Sequence, residues 1–139
     1  MSRDLQRFVE AQQPLYDQVC RELRAGEKRS HWMWFIFPQL AGLGHSPMAQ
    51  RYALSDLAHA AAYLAHPVLG ERLRECVTLV NGHADRTAAQ MFGHPDDLKL
   101  CSSLTLFQLA APTEPLFTRA LQQFYGGVAD PATLTLLQR

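Results

Sequence analysis

The chain has 139 residues, enough for one domain with a hydrophobic core and too few for two domains of ordinary size. Its formal net charge is zero, so it lacks the basic surplus that binding to nucleic acids or anionic membranes usually requires. No apolar run approaches the ~20 residues of a membrane-spanning helix, and the first residues lack a signal-peptide pattern. We therefore expect a soluble, cytoplasmic domain with no nucleic-acid or membrane partner.

In the first half of the chain, apolar spacing predicts short helices around one aromatic block. A helix over residues 4–12 is followed by a longer one that ends at Gly26. Residues 32–37 then allow a short strand. Ser46 and Ser55 each precede a run of helical apolar spacing, and we expect them to be the N-caps of the next two helices.

Short helices are also predicted in the second half of the chain, with prolines or short polar residues at the helix starts. No internal repeat or linker interrupts it. About seven to eight short helices with brief connections therefore predict a compact all-α fold in a single domain over residues 1–139. The residues predicted to start or end helices here are Gly82, Asp85, Pro95, Thr113 and Asp130.

The three cysteines, Cys20, Cys76 and Cys101, lie far apart within apolar helical patterns. Their odd number and wide spacing favour buried thiols over a disulfide framework. None of them stands beside polar residues that would activate it. Neither the cysteines nor the histidines show the spacing of a zinc site, so we expect no metal and no cofactor.

The first candidate site is the segment "KRSHWMWFIFPQLAGLGHS", residues 28–46, which contains both tryptophans of the chain. One interpretation is a flat apolar wall for a planar ring, with polar side chains around it and a glycine turn leading to a helix N-terminus. The alternative is that both tryptophans fill the core. Core packing explains the tryptophans but not the cations, amide and histidines beside them, which favours a ligand site. Its candidate residues are Lys28, Arg29, His31, Trp32, Trp34, Gln39, His45 and Ser46.

The second candidate site is the segment "HPDDLKLCSSLTLF", residues 94–107. A helix that begins near Pro95 is expected to bury one side, while Asp96, Lys99, Ser102 and Ser103 fall together on the opposite arc. A lysine beside hydroxyls and a carboxylate suits phosphate binding or, once desolvated, attack on a sugar aldehyde as a Schiff-base nucleophile. The alternative is a solvated helix face. The residues expected to be buried are Leu98, Leu100, Cys101, Leu104 and Phe107.

Four segments of the chain resemble an uncharacterised bacterial family, domain of unknown function 1810. They are "KRSHWMWFIFPQLAGLGHS", "YLAHPVLGERLRE", "MFGHPDDLKLCSSLTLF" and "FYGGVADPATLTLL", and the resemblance extends over nearly the whole sequence. It implies a small, mostly helical domain and no established reaction. The family is sometimes labelled calpastatin, but that inhibitor acts through disordered repeats, which this sequence lacks.

A weaker resemblance links residues 96–99, "DDLK", to small helical N-glycosidases of the NADAR type. Those enzymes carry an acidic residue shortly before a lysine that attacks ribose through a Schiff base, and Lys99 takes that lysine's place here. Their proline-serine-x-glutamate-histidine motif has no counterpart, because "HSPMAQRY" offers Ser46 without the glutamate or the following histidine.

Three hypotheses about function follow. The first is a nucleotide- or ADP-ribose-directed hydrolase or N-glycosidase, with Lys99, Asp96 or Asp97, and His45 or His31 in catalysis and the tryptophans against the base. It requires that Lys99 and the tryptophans face one cleft. The second is a non-catalytic module that binds the same small molecule. The third is a protein-interaction domain marked by an exposed apolar patch.

Overall fold

The computed structural model describes residues 5–138, and within them the regular structure is helical apart from one isolated bridge. The predicted all-α fold is confirmed, with slightly more helices than the expected seven to eight. No helix of residues 5–138 is both long and apolar enough to cross a bilayer. The helices are α1 (Gln6–Gln12), α2 (Tyr16–Ala25), α3 (Met33–Ile36), α4 (Pro47–Arg51), α5 (Leu57–Ala65), α6 (Leu69–Asn81), α7 (Ala88–Phe92), α8 (Asp96–Ala110), α9 (Pro115–Tyr125) and α10 (Pro131–Leu137).

The aromatic block forms the short helix α3, so the strand predicted over residues 32–37 is wrong. Except for Trp34, every residue from 32 to 38 is buried, and this block therefore has no exposed face for a strand to alternate with. Extended pairing occurs a few residues later, where Leu40 forms a parallel bridge with Leu54. That bridge ties the end of the aromatic block to the turn that precedes α5.

Several helix ends follow from local signals in the sequence. Gly26 ends α2 in the left-handed region, with φ of 72°, as its position after a helical apolar pattern predicts. The Ser46 side chain accepts a hydrogen bond from the backbone N–H of Ala49 and caps α4. Asp130 caps α10 in the same way. Residue 4, where the first predicted helix begins, lies outside the described residues.

Three predicted caps are wrong by one or two positions. Asp56 caps α5 instead of Ser55, because its carboxylate accepts a hydrogen bond from the backbone N–H of His59. Thr87 replaces Asp85 at α7, where it forms a reciprocal capping box with Gln90. Glu114 replaces Thr113 at the start of α9, and its carboxylate binds Arg74 rather than the helix.

The central helix of the fold is α8, which packs against α5, α7, α9 and α10. All residues from 100 to 107 are buried, so the two-sided pattern expected for this helix is wrong beyond its first turn. A helix enclosed by neighbours must be apolar or hydrogen-bonded all around. Leu98, predicted to be buried, is instead 54% exposed. Before its last turn, α8 therefore presents polar side chains at the surface only in its first turn.

Candidate functional site

Both lysines of the chain meet at one carboxylate. The Lys28 ammonium lies 3.0 Å from Oδ2 of Asp96, and the Lys99 ammonium lies 3.1 Å from Oδ1 of the same residue. We call Lys28, Asp96 and Lys99 the dilysine cluster. Its formal charges sum to one positive charge, so the cluster attracts anions even with its internal carboxylate ionised.

Two elements hold the dilysine cluster together. Asp96 and Lys99 belong to the first turn of α8, where a spacing of three places them on the same side of the helix. Lys28 comes from the segment between α2 and α3, and its backbone N–H donates to the carbonyl of Met91 at 2.7 Å. That bond fixes the Lys28 segment to α7, the helix that precedes α8. The two sequence segments predicted as candidate sites are therefore neighbours in space.

Each lysine of the cluster lies over one tryptophan ring. The Lys28 ammonium is 5.2 Å from the centroid of Trp32, and the Lys99 ammonium is 5.8 Å from the centroid of Trp34. These distances suit cation–π attraction. The rings differ in burial, because Trp32 is fully enclosed and Trp34 is half-buried. Trp32 offers no face to a ligand, which makes its predicted part in an open wall wrong.

Trp32 is anchored by a buried carboxylate that the sequence analysis missed. Its indole N–H donates to Oε1 of Glu22 at 3.0 Å, and the backbone N–H groups of Arg29 and Ser30 donate to the same oxygen. Burial raises the pKa of Glu22, but these bonds and those from Ser30 and Gln18 side chains outweigh it and lower the pKa to about 2. Glu22 therefore stays ionised and fixes the backbone that carries Lys28.

The two lysines also differ in their access to solvent. The Lys28 side chain is 9% exposed, whereas the Lys99 side chain is 30% exposed. An ammonium has three N–H donors, and Asp96 accepts from each lysine through one oxygen. Lys99 therefore has both free donors and an open side, while Lys28 is held between Trp32 and Asp96.

Asp97, proposed as an alternative acid, is directed away from Lys99 by its own partners. Its Oδ1 lies 3.0 Å from Nδ1 of His94. The Tyr125 hydroxyl donates to the backbone carbonyl of Asp97 at 2.5 Å, which ties the start of α8 to the end of α9. Of the two neighbouring aspartates, Asp96 is thus the one in contact with both lysines.

The two serines of α8 are buried, so the prediction that they lie on an arc opposite the buried side of the helix is wrong. The Ser102 hydroxyl lies 3.1 Å from both the carbonyl of Leu98 and a carboxylate oxygen of Asp130, so it joins α8 to the start of α10. The Ser103 hydroxyl has no hydrogen-bond partner within the described part of the chain. Ser103 follows Lys99 by four residues and therefore lies one turn further along the same side of α8.

The remaining predicted residues lie at the periphery or at the turn before α4. Arg29 and His31 are exposed, and Arg29 pairs with Glu27 at 3.3 Å. Gln39 accepts a backbone hydrogen bond from Leu54, and the His45 carbonyl accepts one from the side chain of Gln50. Among residues 5–138, no hydrogen bond or ion pair joins Gln39, His45 or Ser46 to the dilysine cluster.

Three cavities of the protein are lined by residues outside the dilysine cluster. The cavity of about 120 Å³ contains Gln39 and the glycine turn, and others of about 400 Å³ and 310 Å³ lie near α10 and α6. Among the residues that the structure describes, no group of three histidine, cysteine or acidic side chains is placed to hold a metal ion. The dilysine cluster thus combines a partly exposed cation, Lys99, with one half-buried ring, Trp34.

Comparison with known proteins identifies the family without assigning a reaction. The chain is similar to the crystal structure of the conserved hypothetical protein Rv1873 from Mycobacterium tuberculosis, with 55% sequence identity and a TM-score of 0.96 over 98% of this chain and 97% of that one. No curated protein matched the chain. Residues 2–137 match the family described as protein of unknown function (DUF1810), and the chain belongs to that family.

Proposed function

We propose that this protein binds a small molecule that carries phosphate groups and a planar ring, with nucleotides and ADP-ribose as the class to test first. The observation that carries the proposal is the convergence of both lysines on Asp96, each beside a tryptophan. In this proposal Lys99 contacts the phosphate. Lys28 and Asp96 hold Lys99 in place.

Charge and donor geometry support the phosphate half of the proposal. The Lys99 ammonium keeps donors beyond the one directed at Asp96, and its side chain is accessible. A lysine acts as a compact point charge for phosphate oxygens. The neighbouring Asp97 pairs with His94 rather than with Lys99. The excess positive charge of the dilysine cluster therefore lies on the Lys99 side.

Trp34 supports the ring half of the proposal. Trp34 is half-buried beneath Lys99, so a planar ligand can stack against its remaining open area. Because Trp34 is half-buried and Lys99 is partly exposed, we expect one-sided contact and dissociation constants in roughly the micromolar to millimolar range.

The same geometry supports a second candidate, an N-glycosidase that uses Lys99. The unprotonated amine would form a bond to the anomeric carbon of a ribosyl group while the bond from that carbon to the base breaks. Asp96 is 3.1 Å from the amine and can pass the proton that the amine loses to the departing base. The glycosylamine formed in this way opens to a Schiff base when the bond from the anomeric carbon to the ring oxygen breaks and the remaining N–H proton moves to that oxygen. Water then hydrolyses the Schiff base and releases the sugar and the lysine.

Isothermal titration with ADP-ribose, NAD, AMP and ribose 5-phosphate tests the binding proposal. We expect saturable binding of at least one of them, weakened tenfold or more by Lys99→Met. Arg51→Met is the matched control, because Arg51 is an exposed cation that lies 5.6 Å from the centroid of Tyr52 at another site. Equal affinities in wild type, Lys99→Met and Arg51→Met, or no binding of any ligand, would reject the proposal.

Reductive trapping separates binding from catalysis. Incubation with NAD and cyanoborohydride, followed by peptide mass mapping, is expected to mark Lys99 if the glycosidase reaction occurs. The second lysine, Lys28, serves as the internal control, since its side chain is largely enclosed. Binding without an adduct or product would leave a non-catalytic module. A failure of all binding would direct attention to a protein partner for the exposed Leu98 and Val128.

A further inference from the structure

A second cluster of reactive side chains lies where α2 packs against α6. Oε1 of Glu75 is 3.8 Å from Sγ of Cys20 and accepts a hydrogen bond from the Tyr16 hydroxyl. That hydroxyl is 3.9 Å from Sγ of Cys76. The two thiols are also close enough for each to shift the pKa of the other. We call these four residues the thiol cluster, and it corrects the expectation that no cysteine has polar neighbours.

The environment makes the two thiols of the cluster unequal. A hydrogen bond from Cys76 opposes the effect of burial and, with a bond from Tyr16, lowers the pKa of Cys20 to about 7. The interaction with Cys20 and burial raise the pKa of Cys76. At neutral pH, Cys20 is thus partly ionised and is the nucleophile of the pair, and Cys76 is its protonated neighbour.

The third cysteine has the opposite environment. Burial, with the charge of Asp130, raises the pKa of Cys101 to about 11. Its sulfur lies 3.8 Å from the carbonyl of Val128, and no second thiol stands beside it among the three free cysteines. Cys101 therefore provides an internal reference for a buried thiol without activation.

A cavity lies beside the thiol cluster. It has a volume of about 310 Å³, and Tyr16 and Glu75 form part of its lining together with Val68 and Arg72. Tyr16 and Glu75 are the residues that contact the sulfur atoms. Cys20 itself is only 6% exposed, so access is limited to a small reagent.

We propose that Cys20 is a peroxide-oxidised modification site and that Cys76 resolves the product into an intramolecular disulfide. The Cys20 thiolate attacks one oxygen of hydrogen peroxide, the O–O bond breaks, and the sulfenic acid of Cys20 and hydroxide form. The sulfur of Cys76 then attacks that of Cys20, and the S–O bond breaks. The proton of Cys76 and the proton that Cys20 lost on ionisation convert the two departing hydroxides to water. Two thiols and one peroxide thus yield one disulfide and two waters.

Each side chain of the thiol cluster has a defined part in this sequence. Glu75 is placed to accept the proton of Cys20, since its oxygen is the nearest carboxylate contact of that sulfur. The Tyr16 hydroxyl lies between Glu75 and Cys76 and can carry the proton that Cys76 releases. The packing of α2 against α6 keeps the resolving thiol within reach, so the sulfenic acid of Cys20 is short-lived.

Peptide mapping of the wild-type protein tests this proposal. The protein is treated with hydrogen peroxide, alkylated in denaturant and digested with trypsin. We expect residues 8–21 to appear linked to residues 75–86, while the peptide of residues 100–119 carries alkylated Cys101. Loss of Cys20 alkylation is expected at least tenfold faster than loss of Cys101 alkylation. A Cys20 that oxidises no faster than Cys101, or never links to Cys76, would overturn the proposal.

Variants divide the two chemical steps. Cys76→Ser is expected to abolish the linked peptide and to accumulate Cys20 sulfenic acid that dimedone traps, whereas Cys101→Ser leaves the linked peptide unchanged. From pH 6 to pH 8 the alkylation rate of Cys20 should rise about tenfold and then level off, because its pKa of about 7 lies inside that interval. A Cys20 rate that still climbs tenfold per pH unit above pH 8 would contradict the activation described above.

Discussion

Two tryptophans that stand two residues apart have opposite environments. Trp32 is enclosed, its indole N–H is bonded to Glu22, and the lysine above it is nearly buried. Trp34 is half-buried, and the lysine above it is accessible. The cation–π pair of Lys28 and Trp32 is thus part of the core, whereas the pair of Lys99 and Trp34 faces solvent. The difference shows that residue type and spacing do not decide between a structural and a binding role, whereas burial and hydrogen-bond satisfaction do.

The largest expected difference between the two regions lies in stability. Trp32→Ala removes a fully buried ring and one of the donors to Glu22, so we expect a loss of about 3–5 kcal/mol in the free energy of unfolding. Trp34→Ala removes a half-buried ring and should cost only about 1 kcal/mol. Urea unfolding followed by circular dichroism measures both. Equal losses would erase the distinction between the two tryptophans.

Glu22→Gln tests the buried carboxylate that anchors Trp32. The amide replaces a charged acceptor that receives several donors, and we expect a loss of about 3 kcal/mol. Glu27→Gln is the matched control, because Glu27 is exposed and its pair with Arg29 should contribute less than about 1 kcal/mol. A Glu22→Gln protein as stable as the control would show that this carboxylate does not organise the segment.

The same carboxylate predicts a pH dependence. The pKa of Glu22 falls from 4.5 to about 2 on folding, so its contribution is complete above pH 4.5 and is lost as the pH falls through 2. The shift corresponds to about 3 kcal/mol. The stability difference between wild type and Glu22→Gln should therefore shrink across this interval in denaturant titrations. A difference independent of pH from 5 to 2 would assign the loss to packing instead.

Asp96→Asn tests the carboxylate that both lysines of the dilysine cluster share. The change leaves the nearly buried Lys28 without its carboxylate, and we expect a loss of about 1–2 kcal/mol. It also raises the charge of the cluster by one, so phosphate affinity should increase severalfold at low salt. Asp97→Asn is the control, since it contacts His94 rather than the lysines. Weaker phosphate binding by Asp96→Asn than by Asp97→Asn would contradict this charge argument.

The smallest expected effect is that of Lys99 on stability. Lys99→Met breaks a partly exposed ion pair and should change the unfolding free energy by less than about 1 kcal/mol while it removes ligand binding. Lys28→Met should cost more, because it removes the cation held between Trp32 and Asp96. Denaturant titrations of the two variants side by side make the comparison. A larger loss of stability from Lys99→Met than from Lys28→Met would show that Lys99 has a structural role.

The sequence predicts those parts of the fold that depend on neighbours in the chain. The left-handed Gly26, the Ser46 cap and the Asp130 cap each follow from a few adjacent residues. The sidedness of α8 does not, because burial of Ser102 and Ser103 depends on helices that enclose α8 from other parts of the chain. Polar residues in an enclosed helix give the same spacing as a solvated face.

The candidate site was predictable as two segments but not as one cluster. Lys28 and Lys99 reach the same carboxylate only because the Met91 carbonyl fixes the Lys28 backbone to α7. That hydrogen bond joins main-chain atoms and leaves no pattern in the sequence. Nor does spacing reveal that Trp32 is enclosed while Trp34 stays open. The one available signal was Glu22, a charged residue three positions after the apolar Val19 of α2.

Fluorescence of single-tryptophan variants tests the division between the two regions most directly. Trp32→Phe leaves Trp34 as the emitting residue, and Trp34→Phe leaves Trp32. We expect titration with ADP-ribose to quench the Trp34 emission of Trp32→Phe saturably, and Lys99→Met in that background to abolish the quenching. The Trp32 emission of Trp34→Phe should change little. Quenching confined to Trp32, or an unchanged Trp34 signal with a ligand that binds by calorimetry, would contradict the assignment of Trp34 and Lys99 as the ligand-facing pair.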